Sequence, residues 1–276
     1  AKNTQLGISQ LGLEAEQQAL YEAALAKPQG LILVTGPTGS GKTLTLYSGL
    51  NLINTPERNI SSAEDPVEIN LAGINQVNIN PKVGLTFAAT LRAFLRQDPD
   101  VLLLGEIRDL ETAEIALKAA ETGHLVLASL HTNSAVESLS RLANMGLATY
   151  SLAASLQLII AQRLARKLCP SCKQPDTTPP ELLLELGFSP AEINQQQLYQ
   201  AKGCQSCTLG YKGRLGIYEV VKMTPKLAEA VVQNTSATGL AKLAEQEGFY
   251  NLRAAGRKKA LAGLISISEL TRVTLD

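Results

Sequence analysis

Gly30-Leu31-Ile32-Leu33-Val34-Thr35-Gly36-Pro37-Thr38-Gly39-Ser40-Gly41-Lys42-Thr43 places a short apolar run directly before a glycine-rich loop. The run Leu-Ile-Leu-Val reads as a strand buried on both faces, as in a parallel sheet. Residues 36–43 match G-x-x-x-x-G-K-[ST] in full. Glycines let such a loop curl so that successive N–H groups point inward at phosphate oxygens. The helix that follows adds its positive N-terminal end. In this arrangement Gly36, Pro37, Thr38, Gly39, Ser40 and Gly41 wall a nucleoside triphosphate site. Lys42 reaches the β and γ phosphates, and the Thr43 hydroxyl ligates Mg²⁺. A glycine-rich turn matching by chance would need neither the strand before it nor the helix after it.

Outward from this loop, strands and helices alternate. A helix is expected over 14–26, ending before Pro28, and another from the loop to about 53. Further strands are expected over 59–64, 100–104 and 125–130, with helices over 86–97, 110–122, 135–144 and 150–164. Residues 68–80 read as a hairpin around Ala72-Gly73. Alternating strands and helices mean an α/β fold with a mainly parallel sheet covered on both faces. From Cys169 the elements shorten, and residues 225–276 read as three or four short helices. The expected organisation is a linker over 1–12 from a missing N-terminal domain, an ATPase-type core over 13–168, a tetracysteine region over 169–222 and a helical subdomain over 223–276.

Composition bounds the rest. The 276 residues suggest about two domains. With 45% hydrophobic residues and no net charge, the chain is not disordered as a whole. Lys plus Arg and Asp plus Glu both number 25, which disfavours a strongly basic nucleic-acid binder. The apolar stretch 147–161 is too short, and too interrupted by Ser151, Ser155 and Gln157, to span a bilayer. The chain therefore reads as cytoplasmic.

Four groups of polar residues carry the chemistry. Glu106 lies just past the apolar run Val101-Leu102-Leu103-Leu104, where strand ends converge on a ligand in open α/β sheets. It is expected to hold Mg²⁺. The alternative is an exposed loop glutamate. Glu64-Asp65-Pro66-Val67-Glu68 lies at another strand end, in a turn stiffened by proline. Glu68 is the expected water-orienting base, while Glu64 and Asp65 are expected to fix the turn through bonds to backbone. His124 precedes the strand 125–130 and His131 follows it. They are about 20 Å apart at ~3.3 Å per residue, too far to share a metal ion. His131 is the expected sensor of the γ phosphate. For His124 a nucleotide contact and a structural bond to a loop stand side by side. Arg92 and Arg96, spaced i and i+4, share a helix face and can neutralise phosphate charge as arginine fingers do. A solvated face or an intersubunit salt bridge remains the alternative.

Cys169-Pro-Ser-Cys172 and Cys204-Gln-Ser-Cys207 form two knuckles with 31 residues between them. Four thiolates from such knuckles suit structural Zn²⁺. A cytoplasmic chain argues against two disulfides. Neither pair opens a helix beside a βαβ strand, as a redox C-x-x-C would.

The loop 36–43, the box Glu64–Glu68, Leu91-Arg92-Ala93-Phe94-Leu95-Arg96-Gln97-Asp98-Pro99-Asp100, Gly105-Glu106-Ile107-Arg108-Asp109 and Gly123-His124 through His131-Thr132-Asn133 occur in that order. Together with Ala161-Gln162-Arg163-Leu164-Ala165-Arg166, the Cys pairs and Gly213-Arg214-Leu215-Gly216-Ile217-Tyr218-Glu219, they resemble the secretion ATPases of type IV pilus and type II secretion systems. Asn80-Pro81-Lys82-Val83-Gly84-Leu85-Thr86-Phe87 and Asn144-Met145-Gly146 look more like the pilus-assembly branch, with the type II branch second. Retraction motors generally lack the Cys pairs.

The resemblance implies a RecA-like P-loop NTPase that hydrolyses ATP and drives pilin assembly as a hexameric ring. It implies an inner-membrane platform protein and cytoplasmic assembly proteins as partners, and a place at the inner face of the cytoplasmic membrane. It assigns Lys42 and Thr43 to Walker A, Glu68 to the Asp box, Glu106 to Walker B, and His124 and His131 to the His box. It also implies an N-terminal module that supplies arginines to the nucleotide. Arg108 and Arg214 are weaker candidates for contacts between subunits. Ser61-Ser62-Ala63 and Asn70 depart from the bulkier residues usual in relatives. A RecA-like nucleic-acid motor, a P-loop kinase and a nucleotide-gated adaptor are the competing readings.

Overall fold

The computed structural model describes residues 7–274, so residues 1–6 of the expected linker and the last two of the expected tail lie outside the described residues. In chain order the elements are α1 (Ala15–Leu25), β1 (Gly30–Thr35), α2 (Lys42–Ile53), β2 (Ile60–Glu64), β3 (Asn75–Asn78), α3 (Phe87–Phe94), β4 (Val101–Leu104), α4 (Leu110–Glu121), β5 (Leu125–Leu130), α5 (Ala135–Asn144) and α6 (Thr149–Ser155). The second half holds β6 (Leu156–Leu168), β7 (Gln174–Pro175), α7 (Pro180–Glu185), α8 (Pro190–Gln195), β8 (Tyr199–Gln200), β9 (Tyr211–Lys222), α9 (Pro225–Val232), α10 (Ala237–Gln246), α11 (Leu252–Leu261) and α12 (Ile267–Thr274).

Seven strands form one sheet in the order β3-β2-β4-β5-β1-β6-β9. Every neighbouring pair is parallel except β6 with β9. The expected α/β class with a mainly parallel sheet is borne out. Every residue of β1, β4 and β5 is buried, because both faces are covered. Leu31, Leu33, Leu102, Leu104, Val126 and Ala128 face Leu91 of α3, Ala116 of α4 and Leu142 of α5. Ile32, Val34, Val101, Leu103, Leu125 and Leu127 face Tyr21 and Leu25 of α1 and Leu46 and Leu50 of α2. Each fully buried leucine contributes about 1.5–3 kcal/mol relative to exposure. α1 and α2 meet closely: a Cβ on Gly49 would lie 2.2 Å from Tyr21 Oη. Tyr21 instead donates its hydroxyl to Thr45 O at 3.0 Å.

Side chains fix the helix starts at the loops. Thr86, Asp109 and Ser134 accept from the amides of Ala89, Thr112 and Glu137 respectively. Each satisfies a first-turn N–H that has no partner within its helix.

Three local expectations are corrected. Residues 150–164 are not one helix: α6 ends at Ser155 and β6 begins at Leu156. Its apolar run Leu158-Ile159-Ile160-Ala161 is short, and periodicity alone does not assign such a run to strand or helix. The choice is made by two distant partners, β1 on one side and β9 on the other. Residues 68–80 are not a hairpin either. β3 pairs with β2 in parallel, Ser61 opposite Asn75. The intervening Ile69, Leu71 and Ile74 pack on the α1–α2 core instead of forming a strand. The expected helix over 86–97 shortens to α3, with Thr86 as its cap, which leaves Arg96 beyond the helix end.

Candidate functional site

Because β1, β2, β4 and β5 run parallel, their C-terminal ends share one edge of the sheet. A cleft of about 520 Å³ opens there, lined by Thr38, Gly39, Gly41, Lys42, Thr43, Glu64, Asp65, Glu68, Glu106 and His131. The loop from Gly36 enters it after β1, and α2 starts from Gly41, whose φ of 89° is left-handed. Lys42 Nζ donates to Gly36 O at 2.8 Å and Pro37 O at 3.2 Å, so its charge is held inside the loop's curve. Burial lowers the Lys42 pKa from its usual range, while the Glu106 carboxylate opposes the shift.

Glu106 follows Gly105 at the end of β4. The turn is pinned to both neighbours: Gly105 N donates to Ala63 O and Ile107 N to Ser129 O. The Glu106 carboxylate pairs with Arg108 and stands 3.4 Å from His131 Nε2. Arg108 also reaches Asp65 at 3.4 Å. His131 is fixed through its neighbour, since Thr132 N donates to Thr35 Oγ1 at 2.9 Å. The carboxylates of the second cluster differ sharply. Glu64 is 3% exposed and accepts from Ser62 Oγ at 2.7 Å, from Gln76 Nε2 at 3.2 Å and from the Tyr47 hydroxyl. Its oxygens are committed to side chains and not, as expected, to backbone groups. Glu68 stands exposed at the rim, in a turn held by Val67 N donating to Asn78 Oδ1 at 2.7 Å.

The remaining expected residues lie elsewhere. Arg92 pairs with Glu111 at 2.6 Å, both more than half exposed, and Arg96 is also exposed; neither lines the cleft. His124 sits at the opposite end of β5 with Nδ1 3.0 Å from Ala119 O, and does not reach the cleft. Its position follows from the length of the strand. The structure adds to the cleft Tyr47, which sequence reasoning passed over, and Arg214, expected only as a contact between subunits. Tyr47 lies one turn after Thr43, a spacing that was visible. Arg214 lines the cleft because β9 runs antiparallel to β6 and its early residues lie beside the far end of that strand. Behind the His131 loop, Glu219 of β9 is buried, and its Oε1 accepts from Ala135 N at 3.2 Å. Its Oε2 meets no hydrogen-bond donor among the described residues. Burial pushes its pKa up to about 7.

Cys169, Cys172, Cys204 and Cys207 come together between β6 and β9, their Sγ atoms all within 4.8 Å of one another. Cys169–Cys204 is 4.0 Å, Cys172–Cys207 3.7 Å and Cys204–Cys207 3.6 Å. A disulfide needs about 2.05 Å. Four sulfurs at about 2.3 Å from one tetrahedral ion would stand about 3.8 Å apart, so this donor set fits a metal.

At the level of whole sequences, the model of the family described as Type II/IV secretion system protein matches residues 1–272. The chain is 58% identical to the type IV pilus assembly ATPase PilB of Pseudomonas aeruginosa, over 100% of the chain and 49% of that protein. It is 59% identical to the PilB of Acinetobacter baylyi, over 98% of the chain and 47% of that protein. Identity to the type II secretion system protein E of Pseudomonas aeruginosa is 45%, over 98% of the chain and 54% of that protein. The chain thus spans about half the length of these relatives. A crystal structure of the pilus retraction motor PilT with bound ADP superposes with a TM-score of 0.73 at 30% identity, covering 98% of this chain and 67% of that one. No helix among the described residues is long and apolar enough to cross a membrane. With its fold, its cleft and these likenesses in agreement, the chain belongs to the Type II/IV secretion system protein family.

Proposed function

We propose that this chain is the ATP-hydrolysing portion of a motor that powers type IV pilus assembly. One observation carries the reading: Lys42, Thr43, Glu68, Glu106 and His131, spread over residues 42–131, line a single cleft at the sheet edge. Higher identity to the two PilB proteins than to the type II secretion protein favours pilin assembly over pseudopilus assembly and protein export.

In this reading the loop amides and Lys42 grip the phosphates of ATP, and Thr43 and Glu106 hold Mg²⁺. Bound there, Mg²⁺ would supply charge screening for the transferred phosphoryl group. Glu68 orients the attacking water; Glu64 is excluded from that role by its three side-chain partners. His131, beside Glu106, reads the γ phosphate. Arg92 and Arg96, outside the cleft of their own chain, act on a neighbour's nucleotide in a hexameric ring. Zn²⁺ on Cys169, Cys172, Cys204 and Cys207 is structural and staples β6 to the start of β9. The division into a core over 13–168, a cysteine region over 169–222 and a helical subdomain over 223–276 belongs to the same reading. So do a cytoplasmic place at the inner membrane and docking on a platform protein there.

Replacement Glu106→Gln tests it. Nucleotide binding is expected to persist while phosphate release falls at least about a hundredfold. Equal turnover in the variant would remove Glu106 from the chemistry and the reading with it.

A further inference from the structure

The loop before α2 is held from behind by one side chain of β6. Gln162 is 1% exposed. Its Nε2 donates to Ser40 O at 2.7 Å, and its Oε1 accepts from Thr45 Oγ1 at 2.7 Å. A carbonyl can only accept, so the amide nitrogen must face Ser40 and the amide oxygen is left for Thr45. One side chain thus ties the loop to the first turn of α2. Its main chain adds a third contact, since a Cβ on Gly36 would lie 2.4 Å from Gln162 O. With φ at +148°, Gly36 is both conformationally and sterically restricted to glycine.

The bond to Ser40 has a consequence for the other side of the loop. A trans peptide is planar, with C=O and N–H pointing in opposite directions. Pinning Ser40 O toward β6 therefore turns the N–H of Gly41 away from β6, to the side where Gly41 lines the cleft. If that peptide flipped, a carbonyl oxygen would face the phosphates instead of a donor. We propose that Gln162 is a positioning residue for nucleotide binding: it sets the Ser40–Gly41 peptide so that the loop presents N–H groups to the phosphate oxygens. This rests on the nucleotide reading above.

The test compares the wild-type chain with Gln162→Met, Gln162→Glu and Lys42→Ala. A fluorescent ADP derivative is titrated with Mg²⁺ between about pH 6 and pH 8.5, and thermal midpoints are recorded without nucleotide. Methionine keeps the volume and loses both bonds, so its Kd is expected to rise at least about tenfold. Glutamate keeps Oε1, and while protonated it can still donate to Ser40 O. Its Kd relative to wild type is expected to be close to one at low pH and to climb as the buried carboxyl ionises. A residue that merely fills space would give no such pH profile, and this arm stands even where the methionine variant folds poorly. Wild-type affinity in Gln162→Met, or a flat ratio in Gln162→Glu, with Lys42→Ala still defective, would overturn the proposal alone. Absence of nucleotide affinity in the wild type would overturn both it and the reading beneath it.

Discussion

Glu219→Gln is expected to make the chain more stable, by a margin that opens between about pH 4.5 and pH 7 and then levels off. Glu219 is 4% exposed, and its Oε1 accepts from Ala135 N. Burial raises its pKa from 4.5 to about 7, while the backbone amides of Ala135 and Leu252 pull it down. Among charged neighbours, Glu137 adds to the rise and Arg163 opposes it. A folded pKa above the unfolded one means the folded chain binds the proton more tightly. The favourable contribution is complete below about pH 4.5, is lost as pH rises through about 7, and stays lost above that. The difference between 4.5 and about 7 corresponds to about 3 kcal/mol. Glutamine has the same shape, keeps an oxygen for Ala135 N and never ionises. The variant should match the wild type near pH 5 to within the cost of the lost acidic proton. It should then gain on the wild type by no more than about 1.4 kcal/mol per pH unit, reaching about 3 kcal/mol by about pH 7.5 and staying there at higher pH. Urea denaturation of both proteins across about pH 5 to 9 reads this directly, with thermal midpoints separating by about 2 °C per kcal/mol. Stability differences that stay constant over that range would refute the account of Glu219 as a buried acid that holds its proton more tightly in the folded chain.

The cysteine cluster predicts about one equivalent of zinc per reduced chain by atomic absorption, and Cys204→Ser or chelation should lower the thermal midpoint by several degrees. Tyr47→Phe removes a donor from the buried Glu64 carboxylate and should cost about 1–3 kcal/mol in denaturant titrations; no measurable loss would mean that Glu64 is satisfied without it. Arg92→Ala breaks an exposed pair with Glu111, so stability should change by less than about 1 kcal/mol. If the arginine acts across subunits, hydrolysis by the assembled protein should nevertheless fall, and unchanged hydrolysis in a confirmed oligomer would assign Arg92 to the surface alone.

How far the sequence can be read depends on how local the information is. Residues 30–43 carry their own context, so β1, the loop and α2 appear where the pattern puts them. The apolar runs at 101–104 and 125–130 are equally self-contained, and the acids and histidine that follow them fall at the same sheet edge. The paired knuckles needed only spacing to be grouped. β6 is different: Leu156–Leu168 is apolar enough for either element, and only pairing with β1 and β9 decides. Gln162 and Arg214 were hidden for the same reason. Their roles depend on strands brought together across more than a hundred residues, as with Gln162 on Ser40. The hairpin reading over 68–80 failed because short alternation cannot tell an antiparallel partner from a parallel one, and β3 found β2.

Calorimetric titration of Mg-ATP into the wild-type chain and into Lys42→Ala bears most directly on the claim that the loop after β1 grips a triphosphate. The account predicts one site per wild-type chain and, because a charge-assisted contact to phosphate is lost, affinity weakened at least about tenfold in the variant, whose thermal midpoint is little changed. Equal affinity in the two proteins, or no binding by the wild type, would contradict it.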